Sequence, residues 1–329
     1  MNIELLIDRM HQDDLDSLII LKPENVTYLS GYKPSSISII IIKDDAVLFT
    51  SKMEMEDALN NSTLPLKEYE SFDQIKNELK GKVGIEKSMP ASVYEKISHE
   101  LELNITEIVE SFRIIKNQDE VKDIQRAVKI AEDSLLEIKF DRTENKVAAD
   151  LEYHMKSNGS IKPAFETIVA SGKRSSIPHA TISSNNLETP VVIDWGAVYN
   201  NYCSDITRTL IESEKESEIF NIVLEAQKEA IKVIKPGIKA SYVDKVARDV
   251  IEEYGYGENF IHSTGHGLGL EVHENPAISK NSEFKLKKDM VITVEPGIYI
   301  KDQFGIRIED DILVKNRANV LTNIKKIIN

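Results

Sequence analysis

Four carboxylic acids lie in apolar, strand-like surroundings where an ionised side chain is costly. Asp194 follows Val191-Val192-Ile193, Asp205 is second in the run Ser204–Leu210, Glu295 follows Met290–Val294, and Glu309 follows Ile306-Arg307-Ile308. Buried carboxylates must be paired, hydrogen-bonded or bound to a cation. Pairing with arginine is one reading, but the basic residues near these strands are chiefly Arg208 and Arg307. Two guanidiniums do not neutralise four carboxylates, and divalent metal does. His266 adds an imidazole within Gly265-His266-Gly267-Leu268-Gly269, a glycine density that lets backbone or ligand approach closely. Four carboxylates and one neutral imidazole carry −4, which two divalent cations cancel. Oxygen ligands with one nitrogen and no thiolate suit Mn²⁺, Co²⁺, Fe²⁺ or Zn²⁺. A structural zinc site would ordinarily use cysteines, and the single Cys203 reads as packing.

Of the seven histidines, His11, His99 and His154 fall on helical segments and read as surface or structural residues, whereas His179, His262, His266 and His273 cluster in the second part of the chain. The elements that must position them change character near Ile115–Glu120. Before it, short helices (Leu5–Leu15, Met53–Leu59, Phe72–Leu79, Met89–Leu101) alternate with strands at Leu18–Leu21, Ser36–Lys43, Ala46–Phe49, Val83–Ile85 and, last, Ile108-Val109, a small α/β pattern. After it, Val121, Ile124, Ala127, Val128, Ala131, Leu135 and Ile138 form one helix face. A second helix spans Asn145–Asn158, with Thr143 as its cap. Helices Glu214–Lys235 and Ser241–Glu253 are separated by Pro236-Gly237. Strands at Thr167–Ala170, Val191–Asp194, Ser204–Leu210, Val291–Val294, Gly297–Ile300 and Ile306–Val314 alternate with these helices. Two domains are expected, 1–114 and 115–329. Within the second, helices followed by a strand pair bearing two acids occur twice, as a pseudo-twofold duplication would produce.

The 329 residues suffice for two cores, and 41% apolar with 29% charged residues is ordinary globular composition. A formal charge of −14 repels nucleic acid and anionic membranes on average. The longest apolar stretch, near Ile37–Ile42, falls far short of the ~20 residues a membrane span needs. A lone cysteine and an N-terminus with acids where a signal peptide is basic make the cytoplasm the expected compartment.

At these residues the sequence resembles the pita-bread metallopeptidases: methionine aminopeptidase, aminopeptidase P and prolidase. The likeness rests on Ile193–Ala197, Tyr202–Thr209, His262–Gly267, Val294–Gly297 and Arg307–Asp310, and on Asn25-Val26-Thr27-Tyr28-Leu29-Ser30-Gly31 in the first domain, which is similar to the creatinase/prolidase N-domain. The resemblance implies an α+β chain, with a small α/β N-terminal domain followed by a pita-bread catalytic domain. It implies that Asp194 binds one metal, His266 and Glu295 the other, and that Asp205 and Glu309 bridge them. His179, His273 and His262 would face substrate. Arg307 would orient a ligand carboxylate. Glu295 would also move a proton to the leaving group. The implied reaction is hydrolysis of the bond before proline in Xaa-Pro dipeptides by a metal-bridging hydroxide, in a homodimer. One departure stands out: prolidases often carry an arginine soon after the His-Glu-x-Pro segment, suited to a dipeptide's C-terminal carboxylate, and here His273-Glu274-Asn275-Pro276 is followed by Ala277. That keeps an Xaa-Pro aminopeptidase for longer peptides open as the close alternative. A non-catalytic binding protein and a metal-free creatinase-like hydrolase are the other readings, and both usually lose ligands that are all present here.

Overall fold

The structure, a computed structural model, describes residues 3–140 and 142–328. These form two compact units, one up to Arg113 and one from Ile114 onward.

In the first unit the strands are β1 Ser17–Ile20, β2 Ile39–Ile42, β3 Ala46–Thr50, β4 Leu66–Glu68, β5 Lys82–Glu86 and β6 Glu102–Thr106, in the sheet order β4-β3-β2-β1-β5-β6. Strand β1 is buried on both faces, so it reads as an unbroken apolar run. The period of two sends Leu18 and Ile20 into one core and Ile19 into the other. The helices are α1 Ile3–Gln12, α2 Pro23–Ser30, α3 Met55–Asn61, α4 Phe72–Glu78, α5 Ala91–Ser98 and α6 Ile108–Arg113. One expectation is corrected: Ile108 and Val109 begin helix α6, and the last strand is the preceding segment β6. That strand is an edge with no buried residue, where Glu102, Asn104 and Thr106 alternate with Leu103 and Ile105, so it lacks a continuous apolar run, while Ile108 and Val109 are buried from a helix. Helix α2 was also hidden in the sequence. Its start is set by Pro23 in the first turn and its end by Gly31 at φ 77°.

The second unit opens with α7 Gln118–Leu136 and α8 Glu144–Ser157, and continues with α9 Glu214–Val233 and α10 Ala240–Glu253. Asn117 with Glu120, and Ser213 with Glu216, form capping boxes on α7 and α9. Thr143 does not cap α8. Its hydroxyl meets Asn145 Oδ1 at 2.6 Å, and the free N–H groups of Glu144 and Asn145 bond the carbonyls of Asn185 and Ser183 instead. Strands β7 Ile168–Ser171, β8 Val191–Trp195, β9 Val198–Tyr199, β10 Tyr202–Cys203 and β11 Ile206–Leu210 follow α8. Strands β12 Gly265–Gly267, β13 Glu274–Ile278, β14 Val291–Val294, β15 Gly297–Ile300, β16 Phe304–Arg307, β17 Asp310–Val314, β18 Ala318–Val320 and β19 Ile327–Ile328 follow α10. They build a four-stranded sheet β19-β11-β8-β7 and a five-stranded sheet β13-β12-β14-β17-β18, with hairpins β9-β10 and β15-β16.

The doubled order is plain: two helices, then an antiparallel pair, β8 with β11 and then β14 with β17. Each pair places its acids at matching ends. Asp194 lies opposite Thr207, and Val294, next to Glu295, lies opposite Asp310, next to Glu309. The expected single strand Ile306–Val314 is two strands, broken at Ile308-Glu309. The apolar alternation runs through the break and conceals it.

Candidate active site

Alternation along β11 and into β17 separates two chemistries. Thr207 turns inward with Glu309, whereas Arg208 and Asp310 turn away and pair with each other at 2.9 Å, both side chains fully buried. Arg208 also donates to the carbonyls of Thr207 and Glu309 at 2.8 and 2.6 Å. Its charge is therefore spent on main chain and on Asp310, and it does not neutralise the acidic centre. Arg307, from β16, does face the centre. Its Nη2 donates to Asp194 Oδ2 at 2.6 Å, Nε to Thr207 Oγ1 at 3.1 Å, and Nη1 to Tyr299 Oη at 2.8 Å and the Pro178 carbonyl at 3.3 Å.

Glu309 sits in the break before β17. Its N–H bonds the Thr207 carbonyl at 3.1 Å, and its Oε2 accepts from Thr207 Oγ1 at 2.7 Å. His266 lies on β12, where a Cβ at Gly265 would meet the Thr293 carbonyl at 2.1 Å and one at Gly267 the Asn275 carbonyl at 2.3 Å. The glycines thus serve close backbone approach. Contact of His266 Nδ1 with the Gly267 carbonyl at 3.1 Å makes that nitrogen the donor. Nε2 is left facing Glu295 Oε1 at 3.3 Å and Asp205 Oδ2 at 3.6 Å. Ligand atoms of Asp205, His266 and Glu309 all lie within 4.8 Å of one another. Glu295 adjoins this group through His266, with its main-chain N–H on the Thr264 carbonyl at 2.8 Å. Asp194 stands at the side held by Arg307.

All nine residues singled out in the sequence line one cavity of about 630 Å³: Asp194, Asp205, His266, Glu295, Glu309, His179, His262, His273 and Arg307. They differ in availability. His273 packs edge-on against His266 with ring centroids 4.3 Å apart. His262 has both ring nitrogens engaged, Nδ1 with the Ser263 carbonyl at 2.8 Å and Nε2 with Tyr299 Oη at 2.9 Å. Burial pushes Tyr299 up to about 12, so its phenol keeps the proton and can donate to His262 while accepting from Arg307. Sequence reasoning passed over Tyr299, Thr207 and Asp311. The last is a further buried carboxylate beside the centre, whose Oδ2 accepts the Asp205 N–H at 3.1 Å. The signal for it was strand alternation, which places 309 and 311 on one face.

Burial pushes the Asp205 and Glu309 carboxyls well above the usual carboxylate range, and neighbouring acids push the same way: Glu309 and Asp194 on Asp205, Glu295 and Asp194 on Glu309. Burial also raises Asp194, against the opposing charge of Arg307. Burial works upward on Glu295 too, but the His266 hydrogen bond and charge prevail and hold it at about 2. Asp194 Oδ1, Glu309 Oε1 and Asp311 Oδ1 are buried without a hydrogen-bond partner. Carboxylate oxygens left bare beside Arg307 and His266 are what a divalent-cation site leaves open. The donor set fits such ions.

Residues 119–316 match the family described as Metallopeptidase family M24, and residues 2–115 match the Creatinase/Prolidase N-terminal domain. The chain is 44% identical to the Xaa-Pro dipeptidase of Pyrococcus furiosus, with 98% of each covered. The solved structure of the prolidase from that organism superposes with a TM-score of 0.93, covering 97% of this chain and 99% of that one. The X-Pro aminopeptidase from Thermotoga maritima superposes at 0.88 with 36% identity, covering 98% of this chain and 100% of its own. With a full set of carboxylate and histidine donors around one cavity and matches along its whole length, this chain belongs to metallopeptidase family M24.

Proposed function

We propose that the chain is a dinuclear metal-dependent Xaa-Pro dipeptidase. The observation that carries this reading is the pair of unpartnered buried carboxylate oxygens, Asp194 Oδ1 and Glu309 Oε1, at a cavity whose guanidinium, among the described residues, is that of Arg307. Asp194, Asp205, His266, Glu295 and Glu309 would hold two divalent ions, Mn²⁺ or Co²⁺ first, with Zn²⁺ or Fe²⁺ also suited to the donors. Bound there, such ions supply Lewis acidity and a water that deprotonates near neutral pH. The protein's own part is positioning and proton handling. His273 and His179 face the scissile carbonyl, where an imidazole N–H can stabilise the developing oxyanion. Ionised Glu295 would take the proton given up by the attacking water and pass it to the departing proline nitrogen. His262, with no free nitrogen, shapes the wall through Tyr299. Phe165, Val272 and Ile182 offer the cavity apolar surface for the proline ring. A tertiary amide donates no hydrogen bond, so peptidase subsites that need that donor do not accept it.

The partners that go with this reading are small peptides with proline second, and a second copy of the chain in a homodimer. The cytoplasm is the proposed compartment, without nucleic acid or membrane. The net charge of −14 supports it, and among the described residues no helix is long and apolar enough to cross a membrane.

His273→Ala should leave the metal content unchanged and lower turnover about a hundredfold, the loss typical of one oxyanion donor. Unchanged kinetics would remove its role. The assay that tests the whole reading gives Mn²⁺-loaded protein a dipeptide and a longer peptide with the same Xaa-Pro start. Cleavage of the longer one alone would replace dipeptidase by aminopeptidase. Ala277 keeps that second reading alive, since it lines the cavity where an arginine would grip the dipeptide carboxylate. Ala277→Arg should therefore lower KM for the dipeptide about tenfold, the scale of one exposed charge-assisted bond, with little gain for the longer peptide. Equal effects on both would show that position 277 does not read the carboxylate.

A further inference from the structure

Glu144, at the start of α8, is a fully buried acid outside the catalytic cavity. Its Oε1 accepts from Ser171 N–H and Ser171 Oγ, both at 2.9 Å. Its Oε2 accepts from Ser183 N–H at 3.0 Å and Ser183 Oγ at 2.6 Å. Arg174 Nε lies between the two oxygens at 3.3 and 3.2 Å. Burial pushes this carboxyl up, but the Ser183 and Ser171 bonds outweigh it and hold the group below the usual range, so it stays ionised. Ser171, the last residue of β7, and Ser183, whose carbonyl also accepts the Asn145 N–H at 3.0 Å, flank one loop. Its first turn, Gly172–Ser176, is also held through Ser175 Oγ, which accepts the Gly305 N–H at 2.8 Å. The second half carries His179. It is tied by the Pro178 carbonyl to Arg307 and by the Thr181 carbonyl to Arg174, and no hydrogen bond reaches the His179 ring among the described residues.

We propose that Glu144 is a positioning residue for catalysis: one carboxylate bolts both ends of the loop at 172–182 and so fixes His179, which has no anchor of its own, at the cavity wall. Releasing either end frees a segment whose histidine is placed by backbone alone. This rests on the role assigned above to His179, and the test separates the two. In the Mn²⁺-loaded full chain, Glu144→Gln puts an amide NH₂ against donors that need an acceptor. It should lower kcat/KM on the cleaved peptide about tenfold, in the range seen when an orienting partner is lost. Metal content should not change. Trypsin cleavage after Lys173 and Arg174 should accelerate about tenfold, a readout independent of activity. In a His179→Ala background the same substitution should cost nothing further, because the two residues act as one unit. Losses that multiply would overturn the positioning role alone. An inert His179→Ala would overturn the role of His179 and this proposal with it. Trypsin susceptibility equal to wild type would overturn the bolt. Ser183→Ala removes the hydroxyl bond to Glu144, together with the acceptor of the Asn185 N–H at 3.1 Å, at a half-buried loop end, and guards against misfolding of the Glu144 variant. It should shift both readouts in the same direction by about threefold, and no shift in either would contradict the proposal.

Discussion

Replacing Glu309 by alanine should strip metal and activity together while leaving the fold intact. Glu309 supplies one of three ligand atoms, with Asp205 and His266, that fall within 4.8 Å of one another. Its Oε1 is bare and buried, and its Oε2 is oriented by Thr207. Lewis-acid stabilisation is worth several kcal/mol, so kcat/KM should fall about a thousandfold at 1.36 kcal/mol per decade. Metal analysis should find fewer than two ions per chain. Without metal, the variant should be at least as stable as metal-free wild type. The deleted group is pushed far above the ordinary carboxylate range by burial and by Glu295 and Asp194, and its removal relieves that repulsion. Two ions retained per chain would remove Glu309 from the ligand set. A drop in metal-free stability of several degrees would show instead that the carboxylate holds the break between β16 and β17 together.

What could be read from the sequence was what chemistry demands by residue type. An acid after Val191-Val192-Ile193, or at the end of Met290–Val294, cannot lie in a core alone, and that constraint picks out the acids, while the roles of His179, His262, His273 and Arg307 rest on the family resemblance. Arg208 shows where such reasoning stops. Its nearness in sequence makes it look like a neutraliser, yet one step along a strand reverses the face, and it pairs with Asp310. The same alternation, followed two residues on from Glu309, points to Asp311. Tyr299 reads as an ordinary strand aromatic until the fold brings Arg307 and His262 to its hydroxyl. Glu144 reads as an unremarkable first-turn helix acid, and its bonds to Ser171 and Ser183 span 27 and 39 residues. Contacts made at that distance leave no local pattern. In the first unit, β6 escaped because an exposed edge strand need not be apolar, whereas β1, buried on both sides, announced itself.

Removing the metal should make stability depend on pH with a sign opposite to that of most acid clusters. The folded, metal-free carboxyls of Asp194, Asp205 and Glu309, and Asp311 beside them, bind protons more tightly than in the unfolded chain, because burial raises each of them. Such groups contribute stability that is fully present below the unfolded carboxylate value of about 4 and is lost as pH rises through the folded value. Glu295 works the other way. Held at about 2, its contribution is present above its unfolded value and fades only as pH falls toward 2. From pH 5 to 8 the raised groups therefore prevail, and the chelated protein should melt at progressively lower temperature. Cations replace those protons, so binding should release them and strengthen as pH rises. At a hundredfold excess over Kd each site adds about 2.7 kcal/mol, and at 2–4 °C per kcal/mol two sites raise Tm by roughly 10–20 °C. Thermal scans of chelated and Mn²⁺-reloaded protein from pH 5 to 8 should show that gap widening, and a weakly buffered indicator should record protons appearing on metal addition. A gap independent of pH, with no proton release, would mean that the ions sit on groups already ionised. The five-residue ligand set would then be wrong, even if the enzyme hydrolysed its peptide.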